Sequence, residues 1–501
     1  MTNRSKGVIL SYLTVIVKNF SLLIYTQMLL KFFGKSEYGL YQIANSIINN
    51  LTLLNLGLSF AYIRFYTGFS MKKEEVRIRK LNGTYILFFS VISVIASFIG
   101  VILIRKSNYF LSSSSVYEQE MLKKLMFFMI INVALNFMGA TFESNILANE
   151  RFVFQQVRQM LQSIFLPVMT APVLLLFHTN VVTIVVIQTI ITFVGLFVNF
   201  YFCVRKIRMK FSFKNLEFSF IKEVGKFSFF IFLNQLFNQI NDSAPIFILG
   251  ILTNTNQVAI YSIVNQLKAL FLTFSQVLST VFIPKVNRIV HQSDDSNELT
   301  QLMIKIGQYQ VLLLGLFLGG FILLGKKFLY LWLGKGFNDA YYLLISIVIP
   351  LVIPLCQNIA IEIQQARNQH IFRSIMLTAF SFFNIGITAI CVKMFGINGV
   401  TIGYIFSLIF GYGLVMNWYY QKKMKLDMKC FWQKMFPGMI PIILSVMIGR
   451  VFLNVFGTEK IFSFVLVGSV YFITYSFCTF LFMPHIFQQI LRMFVKKEKR
   501  K

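Results

Sequence analysis

Few residues in this sequence could do chemistry, and most of them stand in apolar surroundings. Lys18 and Lys268 each lie roughly ten residues into an apolar helical run, which at a 1.5 Å rise puts them roughly 15 Å along it. In a membrane that depth exceeds the reach of a snorkelling lysine stem, and a central Lys costs roughly 2.5–3.5 kcal/mol to insert. Each is therefore expected to face a water-filled cavity, where an ammonium suits a phosphate. The structural alternative is burial against carbonyls or an acid. Asp242 stands in a polar cluster with Asn234, Gln235, Asn238, Gln239 and Asn241 that cannot face lipid. It suits a cation-coupling or gating site, or equally a buried ion pair with Lys268. Glu143 and Glu362, each near one end of an apolar run, are expected to make helix-end or gate contacts in preference to binding cargo. Gln42, Asn45 and Asn49 share a face at helical spacing. Their amides suit sugar hydroxyls, because they donate and accept, and suit interhelical contacts as well.

The elements that position these groups must be membrane helices. Of 501 residues, 56% are hydrophobic and 13% charged, against about 25% charged in soluble domains, and the mean hydropathy is +0.70. Runs of about 20 apolar residues, enough to span a bilayer, recur about fourteen times. Those carrying the residues above are 8–31, 42–66, 124–148, 226–251, 257–282 and 340–364; another is expected over 158–177. The fold class is thus all-α, a polytopic membrane protein with both termini on one side. Most of the 47 basic residues fall in alternate connecting segments, densest between Arg205 and Lys226, between Lys422 and Lys434, and after Arg492. The positive-inside rule puts those segments and both termini in the cytoplasm, and it also accounts for Arg64 at the inner end of its span. The net charge of +29 then reads as topology and contact with anionic membrane lipids, and no nucleic acid is expected as partner. This holds even for the linker where Phe211, Phe213, Phe218 and Phe220 interleave with lysines.

An internal duplication organises the chain. Tyr41, Ile43 and Asn45 recur as Tyr261, Ile263 and Asn265, and Glu143 and Asn149 recur as Glu362 and Asn368, both about 220 positions later. Six spans per half gives parallel repeats about an axis along the membrane normal. The expected domains are a six-helix bundle at 1–204, a basic cytoplasmic linker at 205–226, a second bundle at 227–421, additional helices at 436–483 and a basic tail at 484–501. In the tail, Phe487, Ile490, Leu491, Phe494 and Val495 suit an in-plane helix on an anionic leaflet. Gly315 with Gly319 and Gly399 with Gly403 allow close helix approach, and Gly57, Pro245, Pro350 and Pro354 are expected to bend helices. There is no Walker A sequence, the four His are scattered, and the five Cys form no C-x-x-C pair. Neither an enzyme nor a cofactor or metal site is expected.

Several motifs together resemble a family. They are Phe32-Phe33-Gly34-Lys35-Ser36-Glu37-Tyr38-Gly39-Leu40-Tyr41, then Leu56-Gly57-Leu58 with Arg64 behind it, and Asn241-Asp242 ahead of Ile248-Leu249-Gly250. Tyr261, Pro284 and Phe395-Gly396-Ile397-Asn398-Gly399 follow in order. The chain resembles the polysaccharide-transport, or oligosaccharide flippase, family of the multidrug, oligosaccharidyl-lipid and polysaccharide exporter superfamily. Where that pattern often has a basic residue after the Asp of the 226–251 span, this chain has Ser243. The resemblance implies two six-helix bundles around a central cavity that opens alternately inward and outward. It implies translocation of an undecaprenyl-diphosphate-linked oligosaccharide to the outer leaflet of a bacterial plasma membrane, for O-antigen, capsule or exopolysaccharide synthesis. Arg64 becomes a candidate substrate-entry residue, H+ or Na+ a candidate coupling ion, and a polymerase and a chain-length regulator candidate partners. Competing readings are a cation-coupled small-molecule exporter of the same fold, a lipid II-type peptidoglycan precursor flippase, and a membrane-embedded polymerase or glycosyltransferase. The first would more naturally have an acidic cavity and twelve spans, and the last a large outer loop.

Overall fold

A computed structural model describes residues 3–110, 115–177, 179–213, 232, 235–236, 239, 241–367, 369–457 and 461–486. Among the described residues all regular structure is helical. Twelve helical stretches there are long and apolar enough to cross a membrane. The expected fourteen differ for two reasons. Leu10–Met71 is a single continuous stretch by length and composition but holds both expected spans 8–31 and 42–66, and the first part of 226–251 lies outside the described residues, leaving the short Asn241–Leu252. Asn234, Asn238, Asn368 and the apolar face of the tail likewise lie outside them.

The chain forms two compact units, Met1–Ser262 and Ile263–Lys501. In the first, α1 (Asn3–Asn49) breaks at Gly34, whose φ of 71° is left-handed and suits a residue without Cβ. A 3-10 turn, Asn50–Asn55, leads through Leu56 and Gly57, both at positive φ, into α2 (Leu58–Met71). The bend expected at Gly57 is therefore present. Next come α3 (Glu75–Arg105), α4 (Val116–Ala148), α5 (Phe152–Leu176), α6 (Val181–Phe202), α7 (Asn241–Leu252) and the start of α8 (Thr255–Thr280). A capping box between Ser115 and Glu118 starts α4, satisfying amides that a helix start otherwise leaves open.

Polar pins join these helices at both ends of α4. At its start, Glu118 accepts from Ser36 Oγ at 2.8 Å, and Glu37 accepts from Val181 N at 3.3 Å and Tyr117 OH at 3.4 Å. Gly39 lies so close to the Thr255 carbonyl that a Cβ there would overlap it. Toward the other end, buried Tyr62 OH donates to Asn82 Oδ1 and accepts from Asn145 Nδ2, both at 2.6 Å. Asn82 Nδ2 donates onward to the Lys210 carbonyl at 2.7 Å, and Ser212 N donates to Arg79 O at 2.9 Å. The first residues of the basic linker are thereby docked on α3.

The second unit holds the rest of α8, then α9 (Ile283–Gln292), α10 (Ser296–Leu333), α11 (Asn338–Cys356), α12 (Asn358–Ala366), α13 (His370–Phe395) and α14 (Asn398–Phe406). A π-helical stretch, Ser407–Met416, leads to α15 (Asn417–Lys422), α16 (Met428–Met435), α17 (Met439–Phe456) and α18 (Ile461–Phe482). Behind Pro350 and Pro354, α11 stops and α12 restarts around Gln357. Gly399 and Gly403 press on the Cys391 backbone and on Asn384 and Thr388. Gly315 and Gly319 admit α17 and α18, where Tyr475 OH donates to Leu312 O at 2.7 Å and Tyr471 OH to Leu316 O at 3.0 Å. One core cluster gathers Val286 and Ile289 of α9, Met303 of α10, Ile359 and Ile363 of α12, and Phe431 of α16. Over it runs the segment 423–429. Met424, Leu426 and Met428 are buried there while Lys423, Lys425 and Lys429 are exposed. Its backbone is held by Asp427 N to Thr300 Oγ1, 3.2 Å, and Met428 N to Gln421 Oε1, 2.7 Å.

Candidate functional site

The first unit encloses a cavity of about 420 Å³ between α1, α4, α5 and α6. Each helix contributes one face. Lys18, Ser21 and Tyr25 come from α1, Asn136, Gly139 and Glu143 from α4, Arg158, Gln159 and Gln162 from α5, and Gln188, Thr192 and Asn199 from α6. Apart from the adjacent Arg158 and Gln159, successive residues in each set are three, four or seven apart, the repeat that brings side chains onto one side of a helix. The wall mixes amides and hydroxyls with apolar side chains and carries two cations and one carboxylate.

Glu143 and Arg158 meet at the edge of this cavity. Arg158 Nη2 donates to Glu143 Oε1 at 2.9 Å and Nη1 donates to Gln162 Oε1 at 3.0 Å, while Nε is buried without an acceptor. The same carboxylate oxygen accepts from Gln159 at 3.4 Å and from Gln155. The Arg158 side chain is 13% exposed and that of Glu143 39%, so the pair is only partly withdrawn from solvent. Between α1 and α5, Ser21 Oγ donates to the Ser163 carbonyl. Pro167, four residues on, has no N–H for that carbonyl, and the hydroxyl of α1 takes the vacant place.

Two further cavities adjoin in the same unit. One of about 360 Å³ shares Asn136 and Glu143 with the first and adds Asn55 and Ser59. One of about 340 Å³ shares Thr52 and Asn55 with the second and is lined by Gln235, Gln239 and Asp242. The three cavities thus share lining residues in sequence, from the one with Lys18 to the one with Asp242.

The residues expected from sequence are placed as follows. Lys18 is exposed on the first cavity, Glu143 lies on the first and second, and Asp242 is exposed on the third. Arg64 is exposed on α2. Asn45 and Asn49 bond to each other along α1, Asn49 Nδ2 to Asn45 Oδ1 at 3.1 Å, and Gln42 donates to Tyr38 OH at 2.7 Å. In the second unit Lys268 is 2% exposed, its Nζ 4.8 Å from the centre of the Tyr404 ring, a cation–π contact. Glu362 is half-buried on α12. Sequence reasoning missed Arg158 and the polar stripe Gln155, Arg158, Gln159, Gln162. With the span expected to begin at 158, Gln155 lies outside it and Arg158 reads as an ordinary arginine at its inner edge, whereas α5 starts at Phe152. Among the described residues no three His, Cys, Asp or Glu side chains converge to hold a metal ion.

Comparison with known proteins fixes the fold. The lipid II flippase MurJ, in an inward closed conformation, aligns over 96% of this chain and 99% of its own at 16% identity and a TM-score of 0.75. A multidrug resistance MATE family transporter of the MOP superfamily, in an inward-facing conformation, aligns over 81% and 94% at 14% identity and a TM-score of 0.60. The Vibrio cholerae MATE transporter VcmN in its bent form aligns over 85% and 98% at 15% identity and a TM-score of 0.55. No curated protein matches the chain. The fold is therefore the one shared by MurJ and these MATE transporters, in a multi-pass membrane protein. A family model described as polysaccharide biosynthesis protein matches residues 5–290, more than half of the sequence, and the chain belongs to that family.

Proposed function

We propose that the chain is a flippase carrying an undecaprenyl-diphosphate-linked oligosaccharide from the cytoplasmic to the outer leaflet of a bacterial plasma membrane, with both termini cytoplasmic. The carrying observation is the cavity of the first unit, where Lys18 shares the lining with the amides of Asn136, Gln159, Gln162, Gln188 and Asn199. A diphosphate and its sugars lose hydration at great cost in hydrocarbon. A cation answers the first need, and groups that both donate and accept answer the second. In this reading Lys18 contacts phosphate. Asn136, Gln162 and Gln188 contact sugar, Glu143 is a latch holding Arg158, Arg64 guides entry, and Asp242 is the place for H+ or Na+ if transport is coupled. Lys268, sealed against Tyr404, supports the second unit, as Glu362 does at α12, and Asn45 and Asn49 stiffen α1. A polymerase and a chain-length regulator would take the product. A cation-coupled exporter of cationic drugs is less well served, because two cations face one already engaged carboxylate.

The test is Lys18→Glu beside deletion of the gene. Both are expected to abolish surface polysaccharide and to leave the lipid-linked repeat unit in the cytoplasmic leaflet, with the variant still in the membrane. Wild-type polysaccharide in the variant would remove Lys18 from the mechanism, and an unchanged leaflet distribution in the deletion would remove flipping.

A further inference from the structure

The far end of α10 carries charge that the positive-inside rule does not explain. Between Lys305 and Lys326 the chain runs twenty residues without a charge, a rise of about 30 Å and so about the thickness of the hydrocarbon core. With Lys305 at the cytoplasmic boundary, as the proposed topology has it, Lys326 stands at the outer one. Lys327 and Lys335 follow it, and Asp339 is the single acid between Lys326 and Tyr342. Sidedness concentrates lysines on the opposite face, so three of them within ten residues here have another cause.

The aromatic rings around these lysines do more than mark an interface. Lys326 Nζ donates to Tyr342 OH at 2.5 Å, and it lies 4.6 Å from the centre of the Tyr342 ring and 5.3 Å from that of Tyr341. Lys327 Nζ lies 5.3 Å from the centre of the Tyr330 ring. Tyr341 is itself fixed, because its OH donates to Ile322 O at 2.6 Å and its ring stacks on Phe321 at 5.7 Å. Arg450 of α17 is within electrostatic reach of the same Tyr341. An interfacial lysine ordinarily extends its stem to water. Here ring faces of α11, which attract cations, hold the head of Lys326 in place. An ammonium has three donors; Tyr342 engages one, and Lys326 remains exposed to an acceptor arriving from outside.

We propose that Lys326, Lys327 and Tyr342 form a binding site for the phosphate of an anionic phospholipid resident in the outer leaflet. A phosphate diester is the anion that a bilayer supplies at this depth. Beside the cations, Tyr330 is 46% and Leu331 43% exposed, apolar surface that suits the first carbons of the acyl chains and would not suit an acidic protein. Cargo is served elsewhere, since the cavities with Lys18 and Glu143 lie in the first unit and this cluster in the second. The site therefore depends on the proposed topology and not on the proposed cargo.

The test uses the full chain in nanodiscs of phosphatidylcholine holding a trace of radiolabelled phosphatidylglycerol. A photo-crosslinking amino acid is placed at Leu331 or, as control, at Leu176, which is 75% exposed at the other proposed outer end, that of α5. Phosphatidylglycerol labelling, normalised to that by radiolabelled phosphatidylcholine, is expected to be several-fold higher at Leu331 than at Leu176. Lys326→Gln combined with Lys327→Gln is expected to lower it to the Leu176 value, and Lys326→Arg to keep it. Equal ratios at the two positions without further substitution, or an excess that survives the double substitution, would overturn the site. Displacement by undecaprenyl phosphate at concentrations where unlabelled phosphatidylglycerol has no effect would overturn the resident lipid as occupant and put the carrier lipid there. Alkaline phosphatase fused after Gly336 is expected to be active. A silent fusion would overturn the outer placement, and it decides sidedness apart from binding.

Discussion

Glu143 shows how much a partner changes what a charged residue can do. One oxygen of its carboxylate accepts from Arg158, Gln155 and Gln159, so that oxygen is committed to α5. Because the pair is partly exposed, its stabilising effect is that of a screened ion pair, about 1 kcal/mol or less. Glu143→Gln is therefore expected to lower the Tm of the purified protein only slightly. A drop of the size seen when one member of a fully buried pair is removed, about 3–5 kcal/mol, would show the latch to be dry. Lys18 was legible in the sequence because a charge in the middle of an apolar run has few explanations. Arg158 was not, because it lies near the expected inner edge of its span, where arginine is ordinary. Only once the helix is known to start at Phe152 do Gln155, Arg158, Gln159 and Gln162 fall on one face.

Among the elements, the motif around Ser36, Glu37 and Gly39 acquires a physical account. These residues fasten the second segment of α1 to the starts of α4, α6 and α8, through Glu118, Tyr117, Val181 N and the Thr255 carbonyl. Gly39 is needed because a carbonyl occupies the space of its missing Cβ. Gly39→Val is expected to destabilise by about 1–3 kcal/mol, the usual range for overpacking, measured as Tm in detergent, and an unchanged Tm would contradict the close approach. The network of Tyr62, Asn82 and Asn145 predicts likewise. Tyr62→Phe leaves two buried amides short of a partner and is expected to cost about 1–3 kcal/mol. The bend at Gly57 and the restart after Pro354 were legible, since glycine and proline mark such places locally. The hydroxyl that replaces the hydrogen bond missing at Pro167 comes from a neighbouring helix that no local pattern reveals.

For the whole molecule, hydropathy carries the architecture because each crossing must satisfy its backbone within itself, so spans are written as long apolar runs. Over Leu10–Met71, where the helix runs on through a short polar break at Lys35, Ser36 and Glu37, the break at Gly34 separates the two expected spans that a continuous helical stretch merges. Sidedness depends on the lysines and arginines. A fluorescent reporter fused after Lys501 is expected to be bright and an alkaline phosphatase there silent; the opposite pair of results would invert the topology. The row of lysines over the second unit adds something to that bias. Lys423, Lys425 and Lys429 alternate with buried Met424, Leu426 and Met428 on a backbone pinned to Thr300 and Gln421. The conformational entropy that a loose basic loop surrenders on meeting an anionic surface has here been surrendered at folding. The backbone that carries these charges cannot bend to follow a shifting headgroup, so only the lysine stems adjust while their spacing holds like a stiff comb.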